Sequence, residues 1–145
     1  MLNIDLSRLQ STLNKYVEKT NAAPSKAARG VMLTINRQTI LTTPTDTGRL
    51  VGSWIISANR PSSYIPTVIP NRRISEQAAA EIKRKTIEKN AKKLEQLKDF
   101  SGVLYFTTAV RYAKLVEFGA GRRVGKFMLS KAVQIAIQKV RNKIA

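Results

Sequence analysis

The chain has no cysteine and no histidine. Without thiols it forms neither disulfides nor thiolate metal sites. Without imidazole it lacks the commonest general base and the commonest nitrogen ligand for metals. Acids are scarce as well: nine Asp and Glu stand against 26 Lys and Arg, for a net charge of +17. Aromatics are 6% of residues, with Trp54 the single tryptophan. No apolar run reaches the ~18 residues that a membrane span needs, so no membrane partner is expected. The opening MLNIDLSRLQ has no basic region ahead of an apolar stretch, so no signal peptide is expected, and the expected compartment is a cytoplasm or an assembly built in one.

These shortages weigh against catalysis. A nucleophile triad needs a base, and no Ser–Lys pair sits at a strand-to-helix elbow, since SRLQ and SKAV lie on helical stripes. Carboxylates are too sparse for a credible acid cluster. Asp46 and Glu117 alone occupy unusual local settings, and each reads as a cap or an ion-pair partner. Arg49 is the leading expected partner of Glu117. GAGRRVGK compares poorly with a phosphate-binding loop, because Ala120 stands where glycine is needed and Phe127 where Ser or Thr is needed. Arg122, Arg123 and Lys126 can still hold phosphates as point charges. Tyr105, Phe106 and Trp54 read as core residues, with a subunit interface the other place for Trp54, and not as a base-stacking platform. No enzyme activity, cofactor or metal is expected.

What is present suits one domain: 145 residues, 43% of them apolar. The charge is spread along the chain and densest at the end, where Glu117 is the lone acid after residue 100. Such a field attracts polyanions or acidic protein surfaces and repels copies of itself.

Leu6, Leu9, Leu13, Tyr16 and Thr20 have helical spacing, with Asn3 or Asp5 as the cap. NAAPS interrupts, and Pro24 suits the first turn of a second helix with Ala28, Val31, Met32, Ile35 and Thr39 on one face, and Leu33 and Ile40 off it. Thr42, Thr43 and Pro44 end it. Asp46 is placed to cap a turn over residues 47–51, and Gly48 and Gly52 permit tight approach. SWIISAN alternates as a strand, with Trp54, Ile56 and Ala58 on one side. Residues 60–72 read as a proline-rich loop with an extended piece around 67–69. Residues 75–98 form a thin-striped basic helix, expected to touch the core little. VLYFTTAV, 103–110, reads as a central strand. RYAKLVEFG is a short helix closed by Gly119. AGRRVGK is a basic loop, and from Phe127 a last helix buries Leu129, Ala132, Val133, Ala136, Val140 and Ile144. The expected architecture is α+β: a small, mostly antiparallel sheet packed by helices, with a basic helical excursion between the two main strands. Residues 1–145 form a single domain, in which 60–100 is a loop-plus-helix insertion.

TPTDTGRLVGSW, then YFTTAVRYAKLVEFG, then KFMLSKAV resembles, in that order, the tail-completion or head–tail joining (neck) proteins of long-tailed bacteriophages. In that family a T-P-x-D-T-G-x-L corner precedes a strand. A second strand leads into a Y-A-x-x-V-E-x-G helix, and a Pro-Phe-hydrophobic-x-x-A segment opens the last helix. Thr43, Pro44, Asp46, Thr47, Gly48 and Leu50 match the first element. Tyr112, Ala113, Val116, Glu117 and Gly119 match the second. Phe127, Leu129 and Ala132 match the third, with Lys126 where proline is usual. The resemblance covers roughly residues 30–58 and 103–135.

It implies a non-enzymatic virion protein, assembled in the host cytoplasm, that forms a ring of commonly six-fold symmetry at the neck or tail end. The implied partners are further copies of itself and other neck or tail proteins, such as a tail terminator or a head-completion or connector protein. Contact with acidic neighbours or genomic DNA would use the charge. The corner around Pro44, Asp46 and Trp54 is then structural, and Arg122, Arg123 and Lys126 are the first candidates for partner contact. The rival reading is a basic nucleic-acid-binding module, which the charge supports but the corner does not require.

Overall fold

The structure is a computed structural model that describes residues 4–45, 48–66, 73–97 and 102–144. The described residues form an α+β fold of five helices and two small antiparallel sheets of two strands each. Helix α1 spans Ser7–Thr20 and helix α2 spans Pro24–Thr42. Asp5 serves the start of α1: its carboxylate accepts from the Ser7 backbone N–H at 2.9 Å and the Ser7 hydroxyl at 2.8 Å. These bonds, the backbone one foremost, hold the Asp5 carboxyl below its ordinary pKa. Asn3, the other expected cap, lies outside the described residues. Asn21, at φ +54°, closes α1 by donating its N–H to Val17. Pro24 then occupies the first turn of α2, where its missing N–H is no loss.

Helix α2 is the centre of the molecule, and it buries more than one stripe. Val31 and Ile35 join Leu9 of α1 and Ala132, Val133 and Val140 of the last helix, α5 (Met128–Ile144), in one core cluster. Ile40, placed off the apolar face by periodicity alone, is fully buried in a second cluster with Leu50, Val51, Trp54, Val110 and Met128. The helix turns its early residues to one cluster and its last turn to the other. Phe106 and Leu129 touch both.

Strand β1, Ile55–Ala58, pairs antiparallel with β2, Leu104–Thr107, in a register that sets Ile56 opposite Phe106. The stretch 103–110 thus yields a shorter strand than expected, and it is not central, since each strand of a two-stranded sheet has one open side. Trp54 lies flat on Phe106, with ring centroids 5.1 Å apart. Tyr105 faces the other way, half-buried and outside both clusters, so only Phe106 of that pair is a core residue.

Helix α3, Glu76–Gln96, lies between β1 and β2 in the chain, opened by Ser75, whose hydroxyl accepts from the Ala78 N–H. It does not project from the domain. Ala79, Thr86, Asn90 and Leu94 are buried, and Ile82 and Ile87 pack on the second cluster. The expectation of little core contact fails because polar side chains fill the buried stripe. Asn90 donates to Asn36 of α2 at 2.8 Å and to the Trp54 carbonyl at 3.1 Å, and accepts from the Ile56 N–H at 3.3 Å. Asn36 donates in turn to the Ile87 carbonyl at 3.2 Å. Lys83 donates to the Leu41 carbonyl at 2.7 Å, serving an open acceptor at the end of α2. Burial there lowers the Lys83 pKa. Deleting residues 74–99 is therefore expected to abolish cooperative unfolding. A sigmoidal denaturation curve from the deletion protein would show α3 to be dispensable. The extended piece foreseen at 67–69 lies outside the described residues. No helix among the described residues is long and apolar enough to cross a membrane.

Candidate functional site

The three motif segments, far apart in the chain, meet around the second core cluster. The first turns the corner from α2 to β1. Thr43 leaves the helix in extended geometry, as the following Pro44 requires. Its hydroxyl donates to the Thr39 carbonyl at 2.7 Å and accepts from the Trp54 indole N–H at 3.0 Å. That bond clamps the two ends of the corner together and supplies the buried indole with its acceptor. Thr43→Val should cost about 1–2 kcal/mol by leaving this N–H unpaired. Denaturant titration measures it, and an unchanged midpoint would show that the clamp contributes nothing to stability.

Asp46 and Thr47 lie outside the described residues. Gly48 is at φ +80°, a conformation that favours glycine, and a Cβ there would come 2.8 Å from the tip of the Ile82 side chain, which would have to shift. Leu50 is buried, and the chain continues through a single 3₁₀ turn, Val51–Ser53, into Trp54. Ser53 donates to the Leu50 carbonyl at 2.6 Å and shares a hydrogen bond with Thr108 across the sheet.

The second segment forms α4, Ala113–Phe118. Ala113 is buried and Val116 half-buried against the same cluster, while Tyr112 sits exposed at its start. Glu117 is fully buried, and its partner is not Arg49. Its carboxylate accepts from the backbone N–H groups of Leu129 at 2.9 Å and Ser130 at 2.8 Å, and from the Ser130 hydroxyl at 2.6 Å. Among the described residues no cation lies within ion-pair distance of it. The first turn of α5 takes the place of the expected arginine: it offers open N–H donors and the positive pole of a 17-residue helix.

The main chain binds in the opposite sense. The Glu117 carbonyl accepts from the Phe127 N–H at 2.9 Å, and the Val116 carbonyl from the Lys126 N–H at 2.8 Å. One residue thus closes the end of α4 and opens α5. The excursion between them, read from sequence as a loop, is a hairpin of strands β3, Gly119–Ala120, and β4, Arg123–Val124. Gly119 is at φ +82°, and a Cβ there would meet the Arg123 carbonyl at 2.4 Å. Gly121, at φ +58°, begins the two-residue turn, a position where hairpins favour glycine.

The hairpin carries the candidate contact residues. Arg122 is in its turn, Arg123 on β4 and Lys126 just beyond; all three are exposed, and none has an ion-pair partner among the described residues. Around them lies an apolar surface that sequence reasoning missed. Val124 is 83% exposed, Leu115 57% and Phe118 45%, and Phe118 meets Phe127 edge to face with centroids 6.4 Å apart. The signal was available in part. Once Ala113, Val116 and Glu117 claim the inner face of so short a helix, Leu115 and Phe118 must point outward. Neighbouring large apolar side chains of this kind mark interaction surfaces more often than single ones do. The arrangement offers greasy contact and positive charge together, held on a hairpin whose base Glu117 fixes.

No protein-family model, curated protein or solved structure matches the chain.

Proposed function

We propose that the protein is a non-enzymatic virion structural component of a phage neck or tail, and that it forms a ring, six-fold in symmetry, which completes the tail and joins it to the head. One observation carries the reading. The three ordered motifs, separated in sequence, contribute Leu50 and Trp54, Val110 and Ala113, and Met128 to a single buried cluster. They make one structural unit, and their order resembles that of the tail-completion family.

The ring would be built by heterologous contacts, each copy offering one surface to the next. The α4–hairpin surface is the candidate for contact with a tail terminator, a head-completion protein or a connector protein. Its apolar residues supply burial, and Arg122, Arg123 and Lys126 supply attraction to acidic neighbours or to genomic DNA. At +17 per copy, self-repulsion opposes a tight ring of the isolated protein. The free chain is accordingly a monomer or weak oligomer that orders on its partner complex.

The mass of the purified chain, alone and after mixing with extract of particles that lack it, tests this. The expected outcome is a monomer mass alone and a multiple of it in the particle-bound fraction. Salt-sensitive binding of free DNA by the monomer, with no particle-bound species, would favour the nucleic-acid-binding alternative. Replacing Arg122, Arg123 and Lys126 together with Ser should change stability by no more than about 0.5 kcal/mol, as exposed substitutions do. It should also reduce capture by particles. Full capture would take the hairpin out of the contact.

A further inference from the structure

A groove of about 700 Å³ lies among α1, α2 and α5, outside all three motif segments. Val31, Ala136 and Val140 are buried at its floor, and Leu13 and Tyr16 of α1 form a half-buried wall. Above Gly30 the space is open, since a Cβ there would meet nothing within 4 Å. Lys26, Lys139 and Lys143 stand exposed along the rim, and no carboxylate lines the groove. None of the three lysines has an ion-pair partner among the described residues.

We propose that this groove docks an acidic amphipathic helix from a partner protein, with its apolar face on the floor and its carboxylates on the three lysines. Charge complementarity gives the sign of the occupant: a rim of unpaired lysines around apolar ground asks for apolar anchors flanked by Glu or Asp. A second copy of the chain would bring +17 to the same rim, and that repulsion favours an acidic partner over a copy in this groove. The backbone gives the form. The walls are helices whose own hydrogen bonds are closed, so an extended segment would carry unpaired N–H and C=O groups onto apolar ground. A helix arrives with those groups already satisfied. The α5 part of the groove, residues 136–143, is about 10 Å long at 1.5 Å per residue, room for about two turns. This goes beyond the neck-and-tail reading and does not depend on it.

The probe is a fluorescein-labelled peptide of ~18 residues, long enough to hold a helix, with Leu at helical spacing and Glu flanking the stripe. A scrambled peptide of the same composition is the control. Anisotropy with the full-length chain at physiological salt should show the patterned peptide binding at least about tenfold tighter than the scrambled one, the loss typical of removing a central anchor. Gly30→Leu fills the open space and replaces a weak helix former with a strong one. It should keep or raise the melting temperature and weaken peptide binding at least about tenfold. The reversal Lys26→Glu/Lys139→Glu/Lys143→Glu should lose the acidic peptide and gain a patterned peptide that carries Lys in place of Glu. Equal affinity for the patterned and scrambled peptides overturns the proposal, as does unchanged binding by folded Gly30→Leu. A DNA duplex that displaces the peptide from the wild type, and whose own binding is lost in the lysine reversal but kept in Gly30→Leu, assigns the lysines to nucleic acid and overturns it too.

Discussion

Glu117→Ala should lower the unfolding free energy by about 3 kcal/mol, through the loss of a helix cap and of hydrogen bonds to a charged group in a buried place. Three donors lose their acceptor at once: the Leu129 and Ser130 N–H groups and the Ser130 hydroxyl. The residue is fully buried, so water does not replace the carboxylate freely. For a chain of this length each kcal/mol shifts the melting temperature by about 3 °C, so a fall on the order of 10 °C is expected. Glu117→Gln separates charge from shape. It keeps one acceptor oxygen but turns an amide NH₂ toward N–H donors and removes the negative charge from the α5 terminus. About half of the alanine loss is expected from it, in line with charged hydrogen bonds having roughly twice the strength of neutral ones. Because the group is buried, added salt should change neither result much. A glutamine variant as stable as wild type would show that the carboxylate charge contributes nothing.

Asn90→Leu should cost about 3 kcal/mol or more. Leucine keeps asparagine's branching, with a larger volume, but leaves the Ile56 N–H, the Trp54 carbonyl and the Asn36 side chain without their partner, each in a buried position. Each unsatisfied group costs about 1–3 kcal/mol. Asn36→Ala alone should cost less, because Asn90 keeps its two backbone bonds. The double variant should lose less than the sum of the two singles, as coupled neighbours do. Strict additivity would mean that the two side chains act independently, against the geometry described here. Equilibrium denaturation of the four proteins measures all of this.

The contrast between these two residues shows where the sequence is legible. Helices α1, α2 and α5 follow from apolar spacing and from Pro24 and Pro44, because burial and proline geometry act locally. The alternation of SWIISAN placed Trp54 and Ile56 on the inner face for the same reason. Helix α3 reads as peripheral from its sequence because its hydrogen bonds to α2 and β1 run through Asn90, a polar residue on the buried stripe. A buried asparagine looks like any surface asparagine until its partners, 36 and 54 positions away in number, are brought to it. Glu117 stands out in the sequence as a lone acid in a basic region, but sequence points to a cation as its partner. Open N–H groups at a helix start have no letter in the sequence, so periodicity does not reveal them. The hairpin at 119–124 leaves no signal in the sequence because strands of two residues show no alternation. The exposed Leu115, Phe118 and Val124 read as ordinary apolar content until the fold turned them outward.

The proposed function of this chain is the joining of heads to tails. Its most direct test mixes separately prepared heads and tails that both lack the chain, adds the purified protein, and counts joined particles and infectious titre at low and moderate salt. Wild-type protein is expected to raise joining well above the background without it. The Arg122→Ser/Arg123→Ser/Lys126→Ser variant, folded and at equal concentration, is expected to fall short of wild type. Joining that stays at background with wild-type protein added, while the same preparations join when given complete extract, would contradict it.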